Sequence, residues 1–130
     1  MVHVLSSRTL IRPTDPERSR AFYGGQLGLA VHREFGEGPE RGTVYFAGGG
    51  FLELSGRSEA PPAPSVRLWL QVADAAAAHD ELRAEGVQIV REPVREPWGL
   101  IEMWIADPDG IPIVLVEIPA DHPLRYRPGI

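Results

Sequence analysis

The stretch IEMWIADPDGIPIVLVEIP, residues 101–119, decides the reading of the fold. Two apolar runs flank Asp107-Pro108-Asp109-Gly110, a turn with a mechanism, because aspartate caps backbone amides and glycine accepts a positive φ. Working upstream, VQIVREP (87–93) reads as a strand, ADAAAAHDELRAEG (73–86) as a helix closed by Gly86, and VRLWLQVA (66–73) as a strand. The order is β-α-β-β-β. The segment before it, EAPPAPS from Glu59 to Ser65, is too rich in proline for a central strand and reads as a connector.

Upstream of the connector the same order returns. SRTLIRP (7–13) is a strand, a helix runs from near Pro16 to Gly24, and LAVHREF (29–35), GTVYFAGG (42–49) and FLELSG (51–56) supply three more strands. Residues Arg8 to Asp15 align without a gap on Arg67 to Asp74, from strand to helix entry, and both end in aspartate. For the first helix, Thr14 is expected as N-cap, with Pro16 in the first turn and Glu17 completing a capping box. Gly24 and Gly25 are available to end it. The fold class expected is α+β: two tandem βαβββ modules forming a curved mixed sheet, a half-barrel, with helices on its outer face. We expect one domain, with module 1 at about 4–57, connector 59–65, module 2 at about 66–118 and an irregular tail over 119–130.

Composition narrows the function classes. A chain of 130 residues, 43% hydrophobic, has the size of one globular domain. With no cysteine it has no disulfide, no thiolate nucleophile and no sulfur-ligated metal, which fits a reducing, cytoplasmic setting. No apolar run reaches the roughly 20 residues that span a bilayer, and the start MVHVLSSRTLIRP carries no basic leader, so neither a membrane nor processing is expected. A net charge of −5 and the lack of a lysine-rich patch argue against nucleic acid as a partner.

Strand parity assigns the faces, since side chains alternate along a strand. Leu68, Leu70 and Val72 suit the face under the helix, and so do Thr9 and Ile11 in the first module. Arg67, Trp69 and Gln71, and likewise Arg8, Leu10 and Arg12, then point to the concave side. In the closing strands Leu52, Leu54, Ile113 and Leu115 read as core, leaving Phe51, Glu53 and Val114 facing the concavity.

The segments RTLIRPTDPERSRAFYGGQLGL (8–29) and PWGLIEMWIADPDGIPIVLVEIP (97–119) resemble the opening and closing motifs of the vicinal oxygen chelate superfamily, the glyoxalase, bleomycin-resistance and extradiol dioxygenase proteins. The resemblance covers nearly the whole chain. It specifies the fold more than the function, because the fold hosts isomerases, dioxygenases, thiol transferases and binding proteins. In metal-dependent members, the resemblance implies, four ligands from the first and last strands of the modules hold the ion; here those positions are Arg8, Glu53, Arg67 and Val114. Only Glu53 has lone pairs for a cation, and arginine repels one. No metal or other cofactor is therefore expected. His3, His32, His79 and His122 read as surface or packing residues, and Glu117 falls on the wrong face for a ligand.

Arg8, Glu53 and Arg67 are expected to converge where the ion would sit, either as an internal ion-pair network or as an anchor for a carboxylate, phosphate or quinone oxygen. Trp69, Trp104 and Phe51 add flat apolar walls, with Trp98 at the mouth, and a cation–π contact of Arg12 or Arg67 with a tryptophan is the packing alternative. The candidate ligand-binding residues are Arg8, Leu10, Arg12, Phe51, Glu53, Arg67, Trp69, Trp98, Trp104 and Val114. The leading reading is a homodimeric bleomycin-resistance-like protein that sequesters a planar or aromatic natural product unchanged. The alternative is a metal-independent lyase, isomerase or dioxygenase of the same superfamily, with Glu53 or Glu102 as general base and an arginine at the developing oxyanion. A third reading is a scaffold whose cavity is vestigial.

Overall fold

The computed structural model describes residues 1–125. The expected irregular tail therefore lies partly outside the described residues; its described part, 119–125, contains turns and no helix or strand. The described residues divide into two compact units, one of residues 1–65 with 107–110, the other of residues 66–106 with 111–125. Each is a four-stranded mixed sheet with helical structure on one face, so the α+β class and the two βαβββ modules hold.

In the first unit the strands are β1 (Arg8–Ile11), β2 (Val31–Phe35), β3 (Gly42–Ala47) and β4 (Gly50–Leu54), in the order β1-β4-β3-β2. β1 runs parallel to β4 and the other pairs are antiparallel. Helix α1 (Pro16–Arg20) continues as a π-helical stretch over Ala21–Gln26. Its N-cap is Asp15, whose carboxylate accepts from the Arg18 amide at 3.2 Å, and not Thr14. Thr14 is engaged elsewhere: its amide donates to Asp109 Oδ2 at 3.0 Å and its hydroxyl to Asp109 Oδ1.

The expected helix end at Gly24 and Gly25 is also corrected. Both sit inside the π-helical stretch, where a Cβ on Gly24 would meet the Tyr45 ring at 3.2 Å, so glycine serves close packing there. The chain turns instead at Gly28, whose φ of +73° suits glycine alone. Phe22 and Tyr23 are buried edge to face, with centroids 4.9 Å apart. The face beneath holds Ile11, Tyr45, Leu52 and Leu54, all buried; Thr9, expected there, is exposed on edge strand β1.

The second unit repeats the pattern with β5 (Leu68–Gln71), β6 (Ile89–Arg95), β7 (Ile101–Ala106) and β8 (Pro112–Glu117), in the order β5-β8-β7-β6. Its ten-residue α2 (Ala75–Ala84) is capped by Asp74, which accepts from the Ala77 amide at 3.0 Å, and closed at Gly86, φ +79°. Glu117 lies on the helix side, as its parity implies, and accepts from the Ala75 amide at 2.9 Å, a second cap for α2. Leu68, Met103, Ile105, Ile113 and Leu115 are buried under the helix, while Leu70 is half-buried. Each fully buried side chain of this kind contributes about 1.5–3 kcal/mol. β6 extends past Pro93, where VREP was expected to stop; it is an edge strand, and a register shift between Arg91 and Val94 accommodates the missing amide hydrogen.

The register settles the internal repeat at residue level. Leu10 pairs with Glu53, and Glu53 with Val44; Trp69 pairs with Val114, and Val114 with Trp104. The two triplets occupy the same positions of the two sheets, so Arg8 matches Arg67, as the ungapped alignment implies, and Glu53 matches Val114.

Candidate functional site

Directly paired residues project to the same face of a sheet, so the registers define what stands opposite the helices in each unit. In the first unit this face carries Arg8, Phe51 and Phe46 in one row and Leu10, Glu53, Val44 and Arg33 in the next. Arg8 Nη1 donates to Glu53 Oε1 at 2.8 Å, and Ser55 Oγ donates to Glu53 Oε2 at 2.8 Å. The Arg8 hydrogen bond holds the Glu53 carboxyl below its ordinary pKa, aided by Ser55 and opposed by burial. Arg8 also lies over the Phe51 ring, 5.9 Å from its centroid. A register shift between Val31 and Arg33 frees His32 from pairing, and its ring packs 4.8 Å from Phe46 and 4.9 Å from Phe51. Leu10 is exposed, and Arg12 lies along Gly56.

In the second unit the corresponding face carries Trp69, Val114, Trp104 and Arg91 in one row and Gln71, Val116, Glu102 and Val94 in the next. Val114 is buried among Leu100, Val116 and Ile118, with Trp104 packed against them. Arg67 reaches over the Trp104 ring, 5.5 Å from its centroid, so the cation–π contact entertained from the sequence is present. Among the described residues Arg67 meets no carboxylate, whereas Arg8 meets Glu53. Trp69 is 53% exposed and Trp98 58%. Trp98 Nε1 donates to Glu102 Oε2 at 2.8 Å, and Glu102 is buried.

The turn that carries Trp98 is held from several sides. The Glu96 amide donates to the Leu100 carbonyl and the Gly99 amide to the Glu96 carbonyl, both at 2.8 Å. Arg91 pairs with the Glu96 carboxylate, and Arg95 Nη1 donates to the Gly99 carbonyl at 3.2 Å. His122 bonds the Trp98 carbonyl through Nε2 at 3.0 Å. Sequence reasoning missed this last contact, since nothing in the spacing of Trp98 and His122 marks them as neighbours.

These residues do not fit a divalent cation. Of the four positions at which the resemblance implies metal ligands, Arg8 and Arg67 are cationic and Val114 is apolar, while both oxygens of Glu53 already accept hydrogen bonds. Among the described residues, no group of three or more His, Asp or Glu side chains is arranged to hold a metal ion. A separate depression of about 570 Å³ in the first unit is lined by Thr14, Asp15, Glu17, Glu37, Glu40 and Arg57 among others, none of them a residue singled out as ligand-binding from the sequence. Among the described residues no helix is long and apolar enough to cross a membrane.

Comparison with known proteins agrees with this architecture. The structure of TnmS3, an antibiotic binding protein from Streptomyces sp. CB03234, superposes with a TM-score of 0.74 to 0.75 in company with that of UcmS2: 0.75 for TnmS3 at 24% identity over 92% of this chain and 99% of that one, and 0.74 for UcmS2 at 22% identity over 90% and 100%. A glyoxalase/bleomycin resistance protein/dioxygenase superfamily member from Sphaerobacter thermophilus DSM 20745 follows at 0.72, with 24% identity over 89% and 98%. No curated protein matches the chain. The model of the Glyoxalase/Bleomycin resistance protein/Dioxygenase superfamily matches residues 2–115, and the chain belongs to that superfamily.

Proposed function

We propose that this protein binds a planar organic molecule, of the aromatic natural-product kind, on the Trp69–Val114–Trp104 face of its second unit, and holds it unchanged and without a metal ion. The observation that carries the reading is Arg67. Its guanidinium lies over the Trp104 ring, 5.5 Å from the centroid, and meets no carboxylate among the described residues, next to a tryptophan that is half exposed. Strands about 4.8 Å apart set Trp69 and Trp104 roughly 10 Å from each other across Val114, room for one flat ring on an apolar floor. An arginine without a carboxylate partner keeps its N–H donors for a ligand, which suits a carboxylate, phosphate or quinone oxygen. The similarity to an antibiotic binding protein supports this class of ligand.

Sequestration needs affinity and no proton transfer. Glu53 suits it: a carboxylate tied by Arg8 and Ser55 and held below its ordinary pKa is a poor general base at neutral pH. The second reading, a metal-independent lyase or isomerase, is favoured by one observation, the buried Glu102 beside Trp98, which would serve as base. The protein is a homodimer in this proposal, because each sheet leaves two edge strands, β1 and β2 or β5 and β6, for pairing.

The test is a tryptophan-quenching and thermal-shift screen of planar natural products, with mass spectrometry and NMR of the recovered compound. Saturable binding of a compound recovered intact supports sequestration. A recovered compound of altered mass, or of unchanged mass but altered NMR spectrum, replaces it with the enzyme reading, and a screen in which no planar compound quenches or stabilises overturns both. Sedimentation showing a stable monomer at micromolar concentration would remove the dimer.

A further inference from the structure

Trp98 combines two properties that rarely coincide. Its indole is 58% exposed, yet the turn beneath it and the indole nitrogen are fixed. A surface tryptophan with no task has no need of such anchoring, whereas an aromatic contact held in its bound pose loses less entropy when a ligand arrives. The part of the anchoring that comes from outside the β6–β7 hairpin is His122.

The His122 ring is placed by its own turn, in which its amide donates to the Pro119 carbonyl and its carbonyl accepts from the Arg125 amide, both at 2.9 Å. Arg125 Nη1 further donates to the Ile118 carbonyl at 2.9 Å, next to the end of β8. The tautomer follows from the partners. Nδ1 accepts from the Leu124 amide at 3.2 Å, so the proton is on Nε2, which donates to the Trp98 carbonyl. Gly99 completes the fit: its φ of +92° favours glycine, and a Cβ there would stand 3.1 Å from His122 Cδ2. The imidazole thus lies against the one backbone position of the turn where no side chain intervenes.

We infer that His122 is a positioning residue: it clamps the Glu96–Gly99 turn so that the Trp98 indole stays on Glu102 with its face open to a ligand. The role rests on the binding reading above, but the clamp itself exists without ligand and is measured without it. Two variants separate it from simple packing. His122→Phe keeps a ring against Gly99 and removes both side-chain hydrogen bonds, whereas His122→Gln keeps a donor and an acceptor.

In the ¹⁵N-labelled full chain the three indole N–H resonances are assigned with Trp98→Phe and followed by hydrogen exchange. His122→Phe is expected to speed exchange at the Trp98 indole about tenfold while Trp69 and Trp104 stay unchanged, and His122→Gln to restore it to within about twofold. Unchanged exchange at Trp98 in His122→Phe overturns the inference, as does equal acceleration at all three indoles, which is general loosening. The same variants are titrated with 2-naphthoate, a flat aromatic carboxylate, for which His122→Phe is expected to weaken binding about fivefold and His122→Gln to retain it. Equal affinity in all three proteins overturns the ligand role of the clamp. A wild-type chain that ignores 2-naphthoate and every planar compound screened counts against the binding reading, while the exchange result still decides the clamp.

Discussion

Tyr23 Oη donates to Asp107 Oδ2 at 2.8 Å, joining the FY motif of the first module to the DPDG turn near the end of the chain. Both residues are buried, and Asp107 Oδ1 also accepts from the Asp109 amide at 2.9 Å. Two stretches that carry the resemblance to the superfamily are therefore bonded to each other. Tyr23→Phe removes a donor from a buried carboxylate and is expected to lower unfolding free energy by about 1–3 kcal/mol in urea denaturation, with ligand binding preserved.

The same contact predicts an alkaline limit. Burial, then Asp107, push the Tyr23 hydroxyl well above its ordinary pKa, so its stabilisation is complete below the unfolded tyrosine value near pH 10. As pH rises past that value, the unfolded chain ionises and the folded one does not, and stability falls. Tyr45, raised chiefly by burial, adds to the fall. Denaturation followed from pH 8 to 11 should show a shallower decline in Tyr23→Phe than in wild type; equal slopes would count against the assignment.

Glu53 gives the acid counterpart. Its lowered pKa contributes stability that is present above the unfolded glutamate value of about 4.3 and is lost as pH falls through the folded value. Arg8→Leu leaves a buried carboxylate with Ser55 alone and should cost about 1–3 kcal/mol at pH 7, a difference that shrinks below pH 4. A pH-independent difference would mean that Arg8 acts by packing on Phe51.

Trp69→Ala discriminates ligand contact from core packing. At 53% exposure the side chain contributes little to the fold, so a stability change under about 1 kcal/mol is expected, with loss of the response to any planar ligand. A large drop in melting temperature with binding intact would return Trp69 to the core.

Elemental analysis and thermal shift with nickel, zinc, iron(II) and manganese test the metal-free proposal. A metal content well below one ion per chain is expected, with no stabilisation by added metal. One ion per chain would require a coordination set other than the four superfamily positions.

Much of this protein was legible in the linear chain because its cues are local. Turn chemistry placed Asp107–Gly110, periodicity separated strands from helices, and strand parity put Trp69, Trp104, Glu102 and Val114 on one face and Glu117 on the other, as the register shows. Backbone cues that depend on neighbours were read less well. Thr14 has the chemistry of an N-cap, but Asp109, distant in sequence, takes its hydrogen bonds and leaves the cap to Asp15. Gly24 looks like a helix stop, yet its missing side chain makes room for Tyr45. The sequence by itself determined the repeat, the fold and the lack of a lone pair for a cation in the side chains of Arg8, Arg67 and Val114, since these follow from side-chain type and alternation along the strand. Only the tertiary structure decided the partners: Glu53 for Arg8, the face of Trp104 for Arg67, Glu102 for the Trp98 indole and His122 for the Trp98 carbonyl. Those pairings depend on through-space distances of a few ångströms between particular side-chain atoms, which side-chain type and alternation along a strand do not encode.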